Sequence, residues 1–309
     1  MEESKKLTRR YFAQSLAVAG MGTVGLPLIG SYEKPKENLV TQTIRGNLKI
    51  SLNAFSFDKP LRQGTMNIKD LLDYCAMVGF EGVDLTGYYF PGYPVVPSDE
   101  FIYEVKKKAF KLGLGISGTG VKNDFTWSDP EKRAEEKKLV KEWIAVAEKL
   151  GAPIVRIFAG TLSKENFTWE EKLKWITDDI NECAEFGKKH GVMLALQNHN
   201  DFLKTASDVE KIMKLVDPDW VGLLLDIGSY HTQDPYSDIS RNANFAISWQ
   251  LKEKVFINNV QVDKNYSKII SIVRQCGYSG FLPLETLGDG DPKSNVEVLF
   301  KKVQTVLNV

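Results

Sequence analysis

Histidine and cysteine are scarce, three of each in 309 residues, and each shortage removes a class of chemistry. Three imidazoles cannot hold a cluster of zinc ions, and three thiols cannot build a disulfide framework. Cys75, Cys183 and Cys276 stand far apart in helix-like stretches and read as buried free thiols. Net charge is missing as well: 40 basic side chains balance 40 acidic ones, so the surplus that marks a nucleic-acid binder is absent. What is present, 43% hydrophobic and 26% charged residues, belongs to a globular chain rather than a disordered or collagenous one.

The first thirty residues stand apart. Lys5, Lys6, Arg9 and Arg10 precede a stretch from Tyr11 to Tyr32 that carries no charge. Ser15 to Gly30 is only mildly apolar and rich in glycine, which suits an export signal better than a spanning helix. Thr8-Arg9-Arg10-Tyr11-Phe12 resembles the twin-arginine signal. Residues 1–30 are therefore expected to direct export to the periplasm, 31–47 to be a linker and 48–309 the working domain. Removing the signal leaves 36 basic and 38 acidic groups, a mildly acidic domain with no stable membrane span and no attraction for nucleic acid.

From residue 48 a rhythm sets in. Apolar residues at helical spacing end at Gly79, Gly113, Gly151, Gly191 and Gly277, and each glycine releases the chain into an apolar run. Ser128 to Glu131, Thr168 to Glu171 and Ser207 to Glu210 have capping-box spacing at helix starts. Short strands apolar on both faces, separated by amphipathic helices, call for a parallel sheet. Candidates lie near 48–56, 82–88, 114–121, 154–159, 192–199, 221–227, 246–252 and 280–285. Eight such units over about 260 residues predict a single-domain α/β fold, a closed (β/α)8 TIM barrel. An open doubly wound sheet would carry a glycine-rich phosphate loop after its first strand, and Leu52-Asn53-Ala54-Phe55-Ser56 is no such loop.

Barrel chemistry sits at the C-terminal strand ends. There the fifth run ends in Gln197-Asn198-His199, the sixth in Asp226, the seventh in Gln250 with Lys252 on the same face, and the eighth in Glu285. A strand-end carboxylate can also serve only to cap the following loop, and His199 reads equally as a hydrogen-bonding or a catalytic residue. His190 and His231 carry no such signal.

These residues resemble the xylose isomerase-like barrel superfamily, the sugar phosphate isomerases and epimerases, over about residues 48–305. The resemblance implies a divalent ion held at the positions of Gln197, Asp226, Gln250 and Glu285, and substrate contacts from Arg156 and Asp84. Gln stands where that family has a carboxylate and an imidazole. The remaining all-oxygen set implies Mg²⁺, Mn²⁺ or Ca²⁺ rather than Zn²⁺, bound weakly, or no metal at all. A glutamine cannot accept a proton at neutral pH, so symmetrical two-base epimerisation is not expected.

The expected activity is proton transfer α to a sugar carbonyl on a small carbohydrate. Glu285 would act as base, with Lys252 or His199 assisting, and Trp249 and Asn198 would touch substrate beside Arg156 and Asp84. Phe55, Tyr88, Tyr89 and Phe158 are further aromatic candidates for stacking on a sugar ring. The alternatives are β-elimination by a keto-sugar lyase or dehydratase, a glycoside hydrolase using Asp226 and Glu285, and a non-catalytic sugar-binding barrel. Apurinic-site endonucleases share the fold, but three histidines, the absence of a basic surplus and the expected export signal speak against that role.

Overall fold

A computed structural model describes residues 47–161 and 167–308. The expected export signal, and the linker up to residue 46, lie outside the described residues. Strands β1 (Leu48–Asn53), β2 (Gly82–Thr86), β3 (Gly115–Gly120), β4 (Ile154–Ile157), β5 (Met193–Gln197), β6 (Val221–Asp226) and β7 (Ala246–Lys252) fall on seven of the eight predicted runs. A hairpin follows, β8 (Val255–Ile257) against β9 (Val260–Val262), and then β10 (Gly280–Glu285) on the eighth run. The order β1-β10-β7-β6-β5-β4-β3-β2 closes a parallel barrel, with β2 paired back onto β1. The molecule is a single-domain (β/α)8 TIM barrel.

Helices alternate with the strands and pack outside them. Principal ones are α1 (Ile68–Val78), α2 (Asp99–Lys111), α3 (Pro130–Leu150), α4 (Trp169–His190), α5 (Ala206–Met213), α6 (Pro235–Asn242), α7 (Tyr266–Gln275) and α8 (Pro292–Leu307). Gly191 ends α4 at φ 67°, a left-handed conformation that glycine adopts without a Cβ clash. Thr168 and Glu171 form the expected capping box. The other two boxes do not form where expected: α3 has a simple side-chain cap and the α5 box is shifted. Asp129 rather than Ser128 caps α3, and Thr205 pairs with Asp208 to cap α5 instead of Ser207 with Glu210. In each case the residue that still has extended backbone geometry takes the cap. Cys75 and Cys183 are buried thiols as expected, whereas Cys276 is only half-buried.

The barrel interior is apolar at its base and polar at its mouth. Ile154, Ala195 and Leu224 form a small interior cluster with Met193 and Ile247. Phe281 fills the neighbouring space because β2 and β3 begin with glycine: a Cβ at Gly82 would lie 2.5 Å from its ring. The register shifts between β6 and β7 at Leu223/Leu224, and beyond it Asp226 pairs with Gln250. On the other side of β7, Lys252 pairs with Glu285 of β10. This register sets Asp226, Gln250, Lys252 and Glu285 side by side at the mouth.

The hairpin was not expected from the sequence. It turns through Asn258 and Asn259, both at positive φ (48° and 65°), the geometry of a tight two-residue hairpin turn. His231, from the loop after β6, stacks on its Phe256 with ring centroids 4.2 Å apart.

Candidate active site

The mouth holds a cavity of about 140 Å³ walled by Phe55, Tyr88, Phe158 and Leu287, with Asn53, Thr86, Arg156, Gln197, His199, Gln250, Lys252 and Glu285 supplying polar groups. Of the residues expected at the site, the structure thus brings together Glu285, Lys252, His199, Arg156, Gln197 and Gln250. Phe55, Tyr88 and Phe158 join them. Tyr89 instead donates its hydroxyl to Asp58 at 2.7 Å.

Asp226 does not reach the cavity. It is fully buried, and both carboxylate oxygens are engaged: Oδ1 accepts from the Gly228 N–H at 2.9 Å, and Oδ2 accepts from Gln197 Nε2 at 2.8 Å and lies 2.7 Å from Lys252 Nζ. The same ammonium stands 3.7 Å from Glu285 Oε2. Burial alone would push Lys252 down, but the two carboxylates outweigh it and hold its proton above the ordinary lysine range.

Glu285 has the opposite balance. Burial pushes its carboxyl up to about 7; Asp226 pushes the same way, and Lys252 and Arg156 oppose it. Its Oε2 has no hydrogen-bond partner among the described residues. A buried polar atom that accepts no hydrogen bond at a cavity wall is one that a ligand can satisfy. Asp84, expected to touch substrate, lies beneath the cavity rather than in its lining. It is 3% exposed, and burial pushes its carboxyl up to about 6 against the pull of Arg156.

Arg156 is held by Tyr88, whose hydroxyl accepts from Nη2 at 2.9 Å, and by the Val121 carbonyl. Its guanidinium lies over the Phe158 ring at 4.2 Å, a cation–π contact that flattens one wall. His199 stands at the rim, its side chain 46% exposed, with Nδ1 fixed 2.9 Å from Asp201 and its ring edge-on to Phe158.

Two expectations fail for one reason. Trp249 is wholly buried in the core between barrel and helices, edge-on to Tyr278, and so cannot stack on a sugar. Asn198 is also wholly buried; its side chain exchanges two hydrogen bonds with the backbone of Asp226, at 2.7 and 3.0 Å. Successive strand residues point to opposite faces. With Gln250 and Gln197 turned inward, their neighbours Trp249 and Asn198 must face the helices.

The sequence reading missed Asn53, Thr86 and Leu287. Asn53 ends β1 as the other site residues end their strands, and its Oδ1 accepts from the Phe55 N–H at 2.9 Å. The strand-end rule was sufficient to find it.

The four residues expected as metal ligands do not fit a divalent ion. Gln197 spends an N–H on Asp226, Lys252 puts a positive charge against the same oxygen, and Asp226 has no face turned to the cavity. Among the described residues no group of three His, Cys, Asp or Glu side chains is placed to hold a metal ion.

The sequence pattern of the xylose isomerase-like TIM barrel matches residues 72–302. The chain belongs to this family. Among curated members, an inosose dehydratase from Lactiplantibacillus plantarum is 25% identical over 177 residues, 54% of this chain and 56% of the relative. The chain thus spans little more than half the length of the curated relatives it matches. Family folds superpose further. A 3-keto-D-glucoside 4-epimerase from E. coli covers 84% of this chain and 99% of its own at TM-score 0.67 and 14% identity. A sugar phosphate isomerase/epimerase from Parabacteroides distasonis covers 88% and 99% at TM-score 0.64 and 20% identity. Family membership and the barrel follow; at these identities the solved structures speak for the fold alone.

Proposed function

We propose that this chain is an exported enzyme of small carbohydrates that moves a proton at the carbon next to a sugar carbonyl, with Glu285 as the base. The observation that carries this reading is the Glu285 carboxylate: Oε2 is buried at a cavity wall without a hydrogen-bond partner, the Lys252 ammonium standing 3.7 Å away, and its proton affinity lies close to neutral. A base works best when its pKa is near the operating pH.

Glu285 takes the α-proton, and the C–H electron pair moves toward the carbonyl oxygen to give an enolate. Lys252 and Arg156 line the same cavity and supply fixed positive charge for that oxygen. Where the α-carbon bears a hydroxyl, passing that hydroxyl's proton to the former carbonyl oxygen and returning the carbon-bound proton from Glu285 to the former carbonyl carbon completes an isomerisation, with the new carbonyl on the old α-carbon. Phe55, Tyr88 and Phe158 offer ring faces for the apolar side of a sugar. Gln197, where a second base would stand, cannot take a proton, which favours one-sided chemistry over symmetrical epimerisation.

A second outcome of the same enolate is β-elimination. The enolate re-forms the carbonyl, its carbon–carbon electron pair makes the α–β double bond, and the β C–O bond breaks as the leaving hydroxyl accepts a proton, from protonated Glu285 or from His199 at the rim, and departs as water. The dehydratase activity named for the curated relatives supports this reading. The glycoside hydrolase reading loses ground, since it needs Asp226 at the substrate and Asp226 lies behind Gln197 and Lys252.

Incubating the purified protein in D₂O with a panel of free and keto-sugars tests the proposal by mass spectrometry. Deuterium at the α-carbon, or loss of water from the sugar, supports it. Sugar binding without either change would replace it with the non-catalytic sugar-binding reading.

A further inference from the structure

The residues at the mouth disagree with the cation implied by the family resemblance, and the disagreement has a structural source. Lys252 lies across from Glu285 in the β7–β10 register, while Asp226 pairs with Gln250 on the other side of the same strand. The lysine stem runs past Gly228, where a Cβ would lie 2.8 Å from Lys252 Cδ and 2.9 Å from the Lys254 carbonyl. Glycine at 228 leaves room for the stem, and its N–H fixes the second oxygen of Asp226. The ammonium ends 2.7 Å from Asp226 and 3.7 Å from Glu285, with Gln197 filling the adjoining side of Asp226.

We propose that Lys252 is the resident cation of this site: its ammonium occupies the place of a divalent ion between Asp226 and Glu285, and the protein works without metal. Every departure from the expected ligand set points the same way. A divalent ion between two carboxylates would be repelled by an ammonium already there. Replacing the carboxylate and the imidazole by Gln197 and Gln250 takes away one negative charge and the nitrogen donor, matching the lower charge of an ammonium. Lysine donates hydrogen bonds where a metal accepts lone pairs, so the substrate carbonyl meets an N–H donor.

This inference rests on the cavity being the reaction site, but its test needs no substrate. Mn²⁺ is titrated into the purified full chain and uptake is followed by the electron paramagnetic resonance of the free ion, with melting temperature recorded alongside. The wild type is expected to leave the Mn²⁺ signal at its free value and to melt at the same temperature with Mn²⁺ or EDTA. The triple variant Gln197→Glu, Gln250→His, Lys252→Ala is expected to take up one Mn²⁺ per chain and to melt higher with the ion than without. If that variant does not melt cooperatively, Lys252→Glu decides by the same measurements, because a third carboxylate in place of the ammonium then calls for a cation.

Uptake of one Mn²⁺ per chain by the wild type, lost in Asp226→Asn, would overturn the proposal. So would a cooperatively melting triple variant, or in its place a cooperatively melting Lys252→Glu, that takes up none. Failure to exchange any sugar would count against Glu285 as base and leave this result standing.

Discussion

Asn198 and Asp226 hold one another through two hydrogen bonds: Asn198 Oδ1 accepts from the Asp226 N–H at 2.7 Å, and Asn198 Nδ2 donates to the Asp226 carbonyl at 3.0 Å. The pair ties the end of β5 to the end of β6, and so fixes the carboxylate against which Lys252 is set. Asn198→Ala leaves the Asp226 N–H buried and unpaired, at about 1–3 kcal/mol, while the Asp226 carbonyl keeps the Ser229 N–H at 3.3 Å. A lowered urea midpoint is expected, together with loss of turnover in the protein that remains folded. Unchanged stability would mean that another group or water replaces the amide.

Trp249 serves the core rather than the substrate. Trp249→Phe should destabilise the fold, on the order of 1–3 kcal/mol, and leave KM unchanged. A raised KM with unchanged stability would return Trp249 to the cavity wall.

Asp84 gives the fold a pH dependence of its own. Its carboxyl is pushed up from 3.8 to about 6 by burial, with Arg156 pulling it back. Between those values the unfolded chain has released this proton and the folded chain still holds it, so the group's contribution to stability is lost as pH rises toward 6. Asp84→Asn removes that dependence. The melting temperature of the variant minus that of the wild type should grow from pH 4 to pH 6.5; a flat difference would mean that the folded carboxyl titrates normally.

Export is tested at the paired arginines. Changing Arg9 and Arg10 together to lysine should leave the protein in the cytoplasmic fraction, read by immunoblot, since the twin-arginine pathway reads that pair. An unchanged distribution would set aside residues 1–30 as a twin-arginine signal.

The barrel was legible because its punctuation is local. A glycine at or just past the end of five helices, Gly79, Gly113, Gly151, Gly191 and Gly277, and a short apolar run after it mark a βα unit whatever the distant sequence. The site was legible strand by strand for the same reason, through the polar residue that ends each run. Adjacent pairs went astray: Gln197-Asn198 and Trp249-Gln250 were both assigned to the mouth, although strand alternation allows only one of each pair to face it. The hairpin was hidden by the brevity of its strands, three residues each; Asn258-Asn259 between β-branched residues was its one signal. The position of Lys252 between Asp226 and Glu285 was out of reach, because it depends on the β6–β7 and β7–β10 registers together.

The central claim, that Glu285 removes a proton next to a sugar carbonyl, is tested most directly by deuterium exchange from D₂O into a sugar that the wild type labels, with Glu285→Gln beside it. The account predicts wild-type exchange that rises as pH passes about 7, where Glu285 ionises, and a variant slower by at least about a hundredfold that still binds the sugar. Exchange retained by Glu285→Gln at the wild-type rate would contradict it.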